Sequence, residues 1–170
     1  MNPMRNIRIG KVTLNIGVGG PGENMEKALK LLKAISGAKP VQTTASDRIP
    51  GWGVRPGLPL GAKVTLRYQK GEQLLKRLLV ALENKIPEKK FDKFGNFSFG
   101  IKEYLEINEM NYDAEIGIIG LEVAVTLERP GFNIKHKRNI AQVGKKHRIS
   151  KEEAIKFMQD NYEVKIISND

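Results

Sequence analysis

The chain has no cysteine and only one tryptophan in 170 residues. Without cysteine there is no disulfide, no thiolate metal site and no cysteine nucleophile, as suits a reducing cytoplasm. No run of about 18 apolar residues occurs, so no segment is predicted to span a membrane as a helix. The opening MNPMRNIRIG lacks the apolar core of a signal peptide. Histidine appears only as His136 and His147, with no carboxylate close in sequence to orient either ring. No G-x-S-x-G or Walker-type lysine motif is present. These absences favour binding over catalysis, and no cofactor is expected.

Acid is missing from two long stretches. From Arg48 through Gly71 there is no Asp or Glu, and from Arg129 to Lys151 there is none against eight Lys or Arg. The second stretch holds both histidines and carries +8 of the formal net charge of +10. Its candidate RNA-binding residues are Lys135, His136, Lys137, Arg138, Lys145, Lys146, His147 and Arg148. Phe132, Ile134, Ile140 and Val143 are placed to anchor it. Basic clusters of this kind are the electrostatic footprint of phosphate binding.

What is present organises around Arg48–Gly61, RIPGWGVRPGLPLG, where half the residues are glycine or proline and the only tryptophan stands between two glycines. The flanks alternate as strands do, Pro40 to Arg48 before and Ala62 to Gln69 after, which predicts a long loop at the tip of a β-hairpin. Upstream, Ile7 and Ile9 precede Val12, Leu14, Ile16 and Val18 in one long strand whose parity slips around Gly10. A first helix follows, with Met25, Ala28, Leu29, Leu32 and Ile35 at helical spacing and Ser36-Gly37 as its stop. A second opens at Gly71 and presents Leu74, Leu75, Leu78, Leu79, Leu82 and Ile86 before Pro87. Phe97, Phe99 and Ile101, then Ile119 to Leu127, alternate as strands. Ser150 and Glu153 form a capping box, with Ile149 as its staple, for a helix from about Lys151 to Asn161. Tyr162, Val164 and Ile166 close the chain as a strand.

This order predicts an α+β fold: an antiparallel sheet with helices packed on one face, in a split β-α-β arrangement of the ferredoxin or RNA-recognition-motif kind. Residues 1–170 read as a single RNA-binding domain. Three motifs receive plain structural readings. Gly17-Val-Gly-Gly-Pro-Gly22 matches G-x-G-x-x-G, but Pro21 lies inside it and no acidic residue ends a second strand, so it reads as a tight strand-to-helix turn. A nucleotide-binding enzyme using that turn is the alternative function. Phe91, Phe94, Phe97 and Phe99 read as core more than as base-stacking platforms. Glu103, Glu106, Glu109, Asp113 and Glu115 read as a solvated face and not a metal site.

Four ordered blocks, VTLNIGVGG (Val12–Gly20), ISGAKPVQT (Ile35–Thr43), GLPLGAKVTLR (Gly57–Arg67) and FGNFSFGIKEYL (Phe94–Leu105), closely resemble the large-subunit ribosomal protein L5 family. The basic segment and the absence of an N-terminal helical extension resemble its archaeal and eukaryotic branch. The resemblance implies a structural ribosomal protein that binds 5S rRNA and seats it in the central protuberance of the large subunit. It also implies contacts to the large-subunit rRNA, to the P-site tRNA and to neighbouring ribosomal proteins, and a cytoplasmic location. Carried over by position, Asn15, Trp52 and Thr65 meet 5S rRNA, whereas Ala38 departs from the glutamine of bacterial members. Lys63 and Arg67 share the polar strand face of Thr65 and would hold phosphates. The loop tip, Val54, Arg55, Pro56, Gly57, Leu58 and Pro59, is assigned to tRNA, with the stretch from Arg55 to Leu60 expected farthest from the sheet. A free-standing RNA-binding regulator is a third possibility.

The charge distribution makes the first prediction. RNA affinity should fall at least about tenfold between roughly 50 and 200 mM salt in a filter-binding titration, because each phosphate contact releases counterions. A flat salt response would contradict it.

Overall fold

A computed structural model describes residues 2–138 and 142–167 of the chain; Ile140, assigned above as an anchor, lies outside them. The elements run β1 (Arg8–Gly17), α1 (Glu23–Ser36), β2 (Val41–Thr44), β3 (Pro59–Arg67), α2 (Tyr68–Ala81), β4 (Lys85–Pro87), β5 (Phe97–Ile101), β6 (Leu121–Glu128), α3 (Lys151–Tyr162) and β7 (Lys165–Ile167), with short 3-10 turns between. The fold is α+β, as expected. Five strands form an antiparallel sheet in the order β2-β3-β1-β6-β5, and β4 and β7 make a separate parallel pair. Because β3 lies between β1 and β2, the β1-α1-β2 unit is split, which is the predicted arrangement. No helix among the described residues is long and apolar enough to cross a membrane.

The chain divides into two compact units. The second comprises Thr13–Leu66 and Gly100–Val123. Its buried residues are Leu14, Ile16, Ala62, Val64, Leu66, Leu121 and Val123 from strands and Met25, Ala28, Leu31, Leu32 and Ile35 from α1. Leu31, not Leu29, takes the fully buried place on α1, since the inward stripe includes two adjacent leucines. Gly37 ends the helix in the left-handed conformation, φ 63°, as its position predicted. Tyr104 is fully buried, and its hydroxyl accepts from Asp113 N at 3.1 Å.

The first unit comprises Met1–Val12, Arg67–Phe99 and Ala124–Asp170. Ile9 and Val12 are both buried although three positions apart. A Cβ on Gly10 would lie 2.7 Å from the Glu128 carboxyl carbon. The parity slip read from the sequence is therefore real: Gly10 makes room for the Glu128 side chain, which pairs with Arg8 at 3.3 Å. α2 begins at Tyr68 and stops at Ala81, because Glu83 and Asn84 adopt left-handed φ of 53° and 56°. Ile86 thus belongs to β4 and not to the helix, where it is buried opposite Ile166. Phe91, Phe97 and Phe99 are core, as read; Phe94 is 57% exposed.

α3 begins on the predicted capping box. Glu153 N donates to Ser150 Oγ at 3.3 Å and Ser150 N donates to Glu153 Oε2 at 3.0 Å. Tyr162 ends this helix instead of starting a strand, and β7 begins at Lys165. Burial pushes the Glu153 carboxyl up, but hydrogen bonds from Ser150 N and from the Arg129 guanidinium outweigh it, leaving the group below its ordinary 4.5. Its contribution to stability is therefore full above that value and is lost as pH falls through the depressed folded-state pKa. Ser150→Ala should cost about 1 kcal/mol and lower the melting temperature by about 2–4 °C. Glu153→Gln should flatten the acid limb of a stability–pH curve, which thermal melts between pH 3 and 7 would check.

Candidate nucleic-acid interface

Strand pleating sets the interface of the second unit. With Ala62, Val64 and Leu66 buried, β3 turns Lys63, Thr65 and Arg67 outward at alternate positions. Arg67 is the last residue of the strand and is counted with the first unit. On β1, burial of Leu14 and Ile16 brings Thr13 and Asn15 to the partly exposed face. The hydroxyls of Thr13 and Thr65 lie 3.3 Å apart, and Asn15 Nδ2 donates to Glu122 Oε2 at 3.4 Å. The structure thus brings a half-buried amide, Asn15, beside the exposed ammonium of Lys63 and hydroxyl of Thr65 on adjoining strands. Glu122, which sequence reasoning did not single out, orients the amide. Only the pairing of β1 with β6 reveals that role, since the two residues are distant in sequence.

The hairpin is held tightly at its base. β2 and β3 pair through Val41↔Lys63, Gln42↔Ala62 and Thr43↔Gly61. A Cβ on Gly61 would sit 2.6 Å from Ile16 O, so only glycine permits this approach to β1. Both strands are displaced from the expected bounds. β2 is shorter, ending at Thr44, and β3 starts earlier, at Pro59. Past the ladder, Ala45 N donates to Leu58 O and Gly57 N to Ala45 O, each at 2.9 Å.

The loop then folds on itself. Ile49 and Val54 form an antiparallel bridge with N–H···O distances of 3.0 and 3.1 Å. The bridge encloses a 3-10 turn, Pro50–Trp52, closed by left-handed Gly53. This corrects the expected geometry. Gly57 and Leu58 continue the ladder and Pro59 opens β3, so the Arg55–Leu60 stretch is not the outermost part. Pro50 to Gly53 is outermost within the hairpin, because the proline and glycines let the chain reverse there. Trp52 is 79% exposed, while Val54 is buried and anchors the loop. Arg55 and Pro56 stand exposed between the two turns.

The glycine-rich turn shows how its amides are used. Val18 N and Gly19 N both donate to Leu60 O, at 2.9 and 2.8 Å. These N–H groups serve the hairpin base instead of a phosphate. On the acidic stretch, Glu115 pairs with Lys30 at 2.7 Å, and no group of metal-ligating side chains occurs among the described residues.

The basic segment belongs to the first unit and contains one cation of a different kind. Arg129 is 5% exposed. It donates to the carbonyls of Arg5, His147 and Arg148 at 3.1–3.3 Å and to Glu153 Oε1 at 2.8 Å. It ties both ends of the segment to α3. His147 is half-buried, with Nε2 2.9 Å from Pro130 O and its ring edge-on to Phe132. Phe132 and Val143 are buried anchors, as expected, whereas Ile134 is exposed. Lys135, Lys137, Arg138, Lys145, Lys146 and Arg148 all reach solvent. The side chain of His136 lies outside what is described.

Comparison with known proteins agrees with this architecture. Residues 59–157 match the model of the C-terminus of the ribosomal L5 family and residues 2–55 that of ribosomal protein L5. The chain is 52% identical to the large ribosomal subunit protein uL5 of Nanoarchaeum equitans, over 98% of this chain and 99% of the relative. Identity is 48% to the uL5 of Sulfurisphaera tokodaii, covering 98% and 96%. It is 42% to that of Methanobrevibacter smithii, covering 99% of each.

Burial separates the two kinds of residue. Arg129→Met should destabilise by about 2–4 kcal/mol, since three backbone carbonyls lose a donor and Glu153 loses its partner, which itself stays half in water. Trp52→Ala should leave the melting temperature nearly unchanged. Thermal melts of the two variants beside the parent check both.

Proposed function

The chain belongs to the ribosomal protein L5 family, and from that membership we propose that it binds 5S rRNA and attaches it to the large ribosomal subunit in the central protuberance, with further contacts to large-subunit rRNA and to the P-site tRNA. Its role is structural and not enzymatic, and it is exercised in cytoplasmic ribosomes beside the neighbouring proteins of the protuberance. The whole chain acts as one RNA-binding domain.

The observation that carries this reading is the outward row of Lys63, Thr65 and Arg67 on β3, adjoined by Asn15 on β1. Ammonium and guanidinium groups supply phosphate contacts. The amide and hydroxyl suit sugar edges and unpaired bases. Trp52 adds a large exposed ring on a turn braced by the Ile49–Val54 bridge, and an exposed ring of this kind stacks on a base. Val54 to Pro59 meets tRNA in this proposal, with Arg55 and Pro56 as its exposed part and Val54 as the support beneath. The exposed cations of the basic segment, Lys135 to Arg148, meet large-subunit rRNA.

Gel-shift titration against 5S rRNA tests the proposal. Lys63→Ala and Arg67→Ala should each weaken binding and reduce its salt dependence by about one counterion. Trp52→Ala should cost about 1–3 kcal/mol in affinity. Replacing residues 54–59 by a short Gly-Ser linker should spare 5S rRNA binding and loosen P-site tRNA on reconstituted subunits. Unchanged 5S rRNA affinity in all three point variants would reject the proposed face.

A further inference from the structure

The first unit carries a half-open cavity of about 420 Å³ whose lining includes no residue of the β3 row. Its floor is apolar: Phe132, Val143 and Ile149, all buried. Phe94, more than half exposed, is also among the lining residues. Asn96 and Gln142 bring side-chain amides to the lining, and Lys135 and Arg148 bring cations. No carboxylate is among the lining side chains.

We propose that this cavity receives one unpaired base of an RNA strand, stacked on Phe94, with Lys135 and Arg148 on the flanking phosphates. The proposal rests on the RNA-binding reading above and adds to it a specific base pocket. Four features support it. The cavity holds a single nucleotide and is too small for a folded element. An exposed ring beside an apolar floor offers a stacking surface that any base can use. Side-chain amides can satisfy the donor and acceptor edge of a base. The charge is complementary to a phosphodiester and wrong for a cationic partner.

The pocket is also built in advance. Asp92 accepts from Phe94 N at 2.8 Å, Asn96 N at 2.7 Å and Asn96 Nδ2 at 2.7 Å, which pins the turn that displays the ring. Gly95, at φ +78°, passes so close to Ile149 that a Cβ would stand 2.6 Å from its methyl carbon. The Lys135 ammonium rests 4.4 Å from the centre of the Phe132 ring. Arg148 Nε donates to Val143 O at 3.2 Å, which holds the guanidinium stem against the cavity wall. Little ordering entropy remains to be lost when a base enters.

The test uses the full chain and four RNA probes: a ten-nucleotide single strand, a blunt duplex of equal length, and free adenosine and uridine monophosphates. Affinities are read by fluorescence anisotropy for the strands and by NMR titration for the mononucleotides. NMR also follows the methyl signals of Val143 and Ile149. The single strand should shift those two signals and bind tighter than the duplex. Phe94→Ala, at an exposed position, should weaken single-strand binding about tenfold without lowering the melting temperature, and Phe94→Trp should restore it. Equal single-strand affinity in Phe94→Ala, or methyl shifts confined to other residues, would overturn the pocket. Mononucleotides binding as tightly as the strand would also overturn it, by making the cavity a free-nucleotide site. The same variants titrated with 5S rRNA beside Lys63→Ala separate this inference from the function it rests on, because the β3 row can fail while the pocket holds, and the reverse.

Discussion

The pleat of the strands is the constraint on which the outward polar row of β1 and β3 depends. Side chains of a strand alternate between faces, so every residue committed to the core commits its neighbour to the other side. Burying Leu14 and Ile16 on β1, and Ala62, Val64 and Leu66 on β3, leaves Thr13, Asn15, Lys63, Thr65 and Arg67 no choice of face. A slip of one residue between β1 and β3 would bury the lysine and expose the leucine. Two details oppose such a slip at the hairpin base. Gly61 lets β3 approach Ile16 O more closely than any other residue allows, and Leu60 O collects the amides of Val18 and Gly19. The glycine-rich turn that mimics a dinucleotide fingerprint is in this way part of the register device.

Charge is distributed by a different rule. The basic segment has no acid of its own, and its repulsion is unfavourable to a compact state. The structure answers by burying one cation, pairing Lys151 with Glu88 and leaving the others in solvent. Arg129 gives its donors to three carbonyls and to Glu153, and so closes the segment at both ends. A guanidinium suits the task because its planar fork can reach several acceptors at once. The lysines that remain outside gain nothing from one another. Lys151 pairs with Glu88 at 2.7 Å, and the other six hold a concentrated positive surface in solvent, so a count of eight overstates the cations left for an external polyanion by two.

The long loop shows how a segment rich in glycine and proline becomes a display. Such composition forbids helix and inner strand, yet it leaves turns. The Ile49–Val54 bridge uses two of the few residues there that can pair, and burial of Val54 fixes it. The ring of Trp52 is then carried outward on a short stiff arm instead of collapsing on the sheet. Phe94 is displayed by the same logic, with Asp92 and Gly95 bracing the turn beneath it.

Much of this was legible in the sequence because it is local. Alternation marked β1, β3, β5 and β6, the Ser150–Glu153 pair marked the start of α3, Gly37 marked the end of α1, and the acid-free stretches marked where exposed cations gather. Each of these signals is complete within one continuous stretch of chain. What escaped depends on partners far away in the chain. Ile86 reads as the last turn of a helix, but the left-handed pair Glu83 and Asn84 turns it into a strand beside Ile166. Arg129 looks like one more surface cation until Glu153 and the His147 carbonyl fold back on it. The outermost turn of the loop, and the pocket between Phe94 and the basic segment, likewise exist only once non-local pairing has closed. Periodicity and charge report which face a residue prefers; only the tertiary structure decides what stands opposite that face, because that choice is made by contacts the chain has to close across large sequence separations.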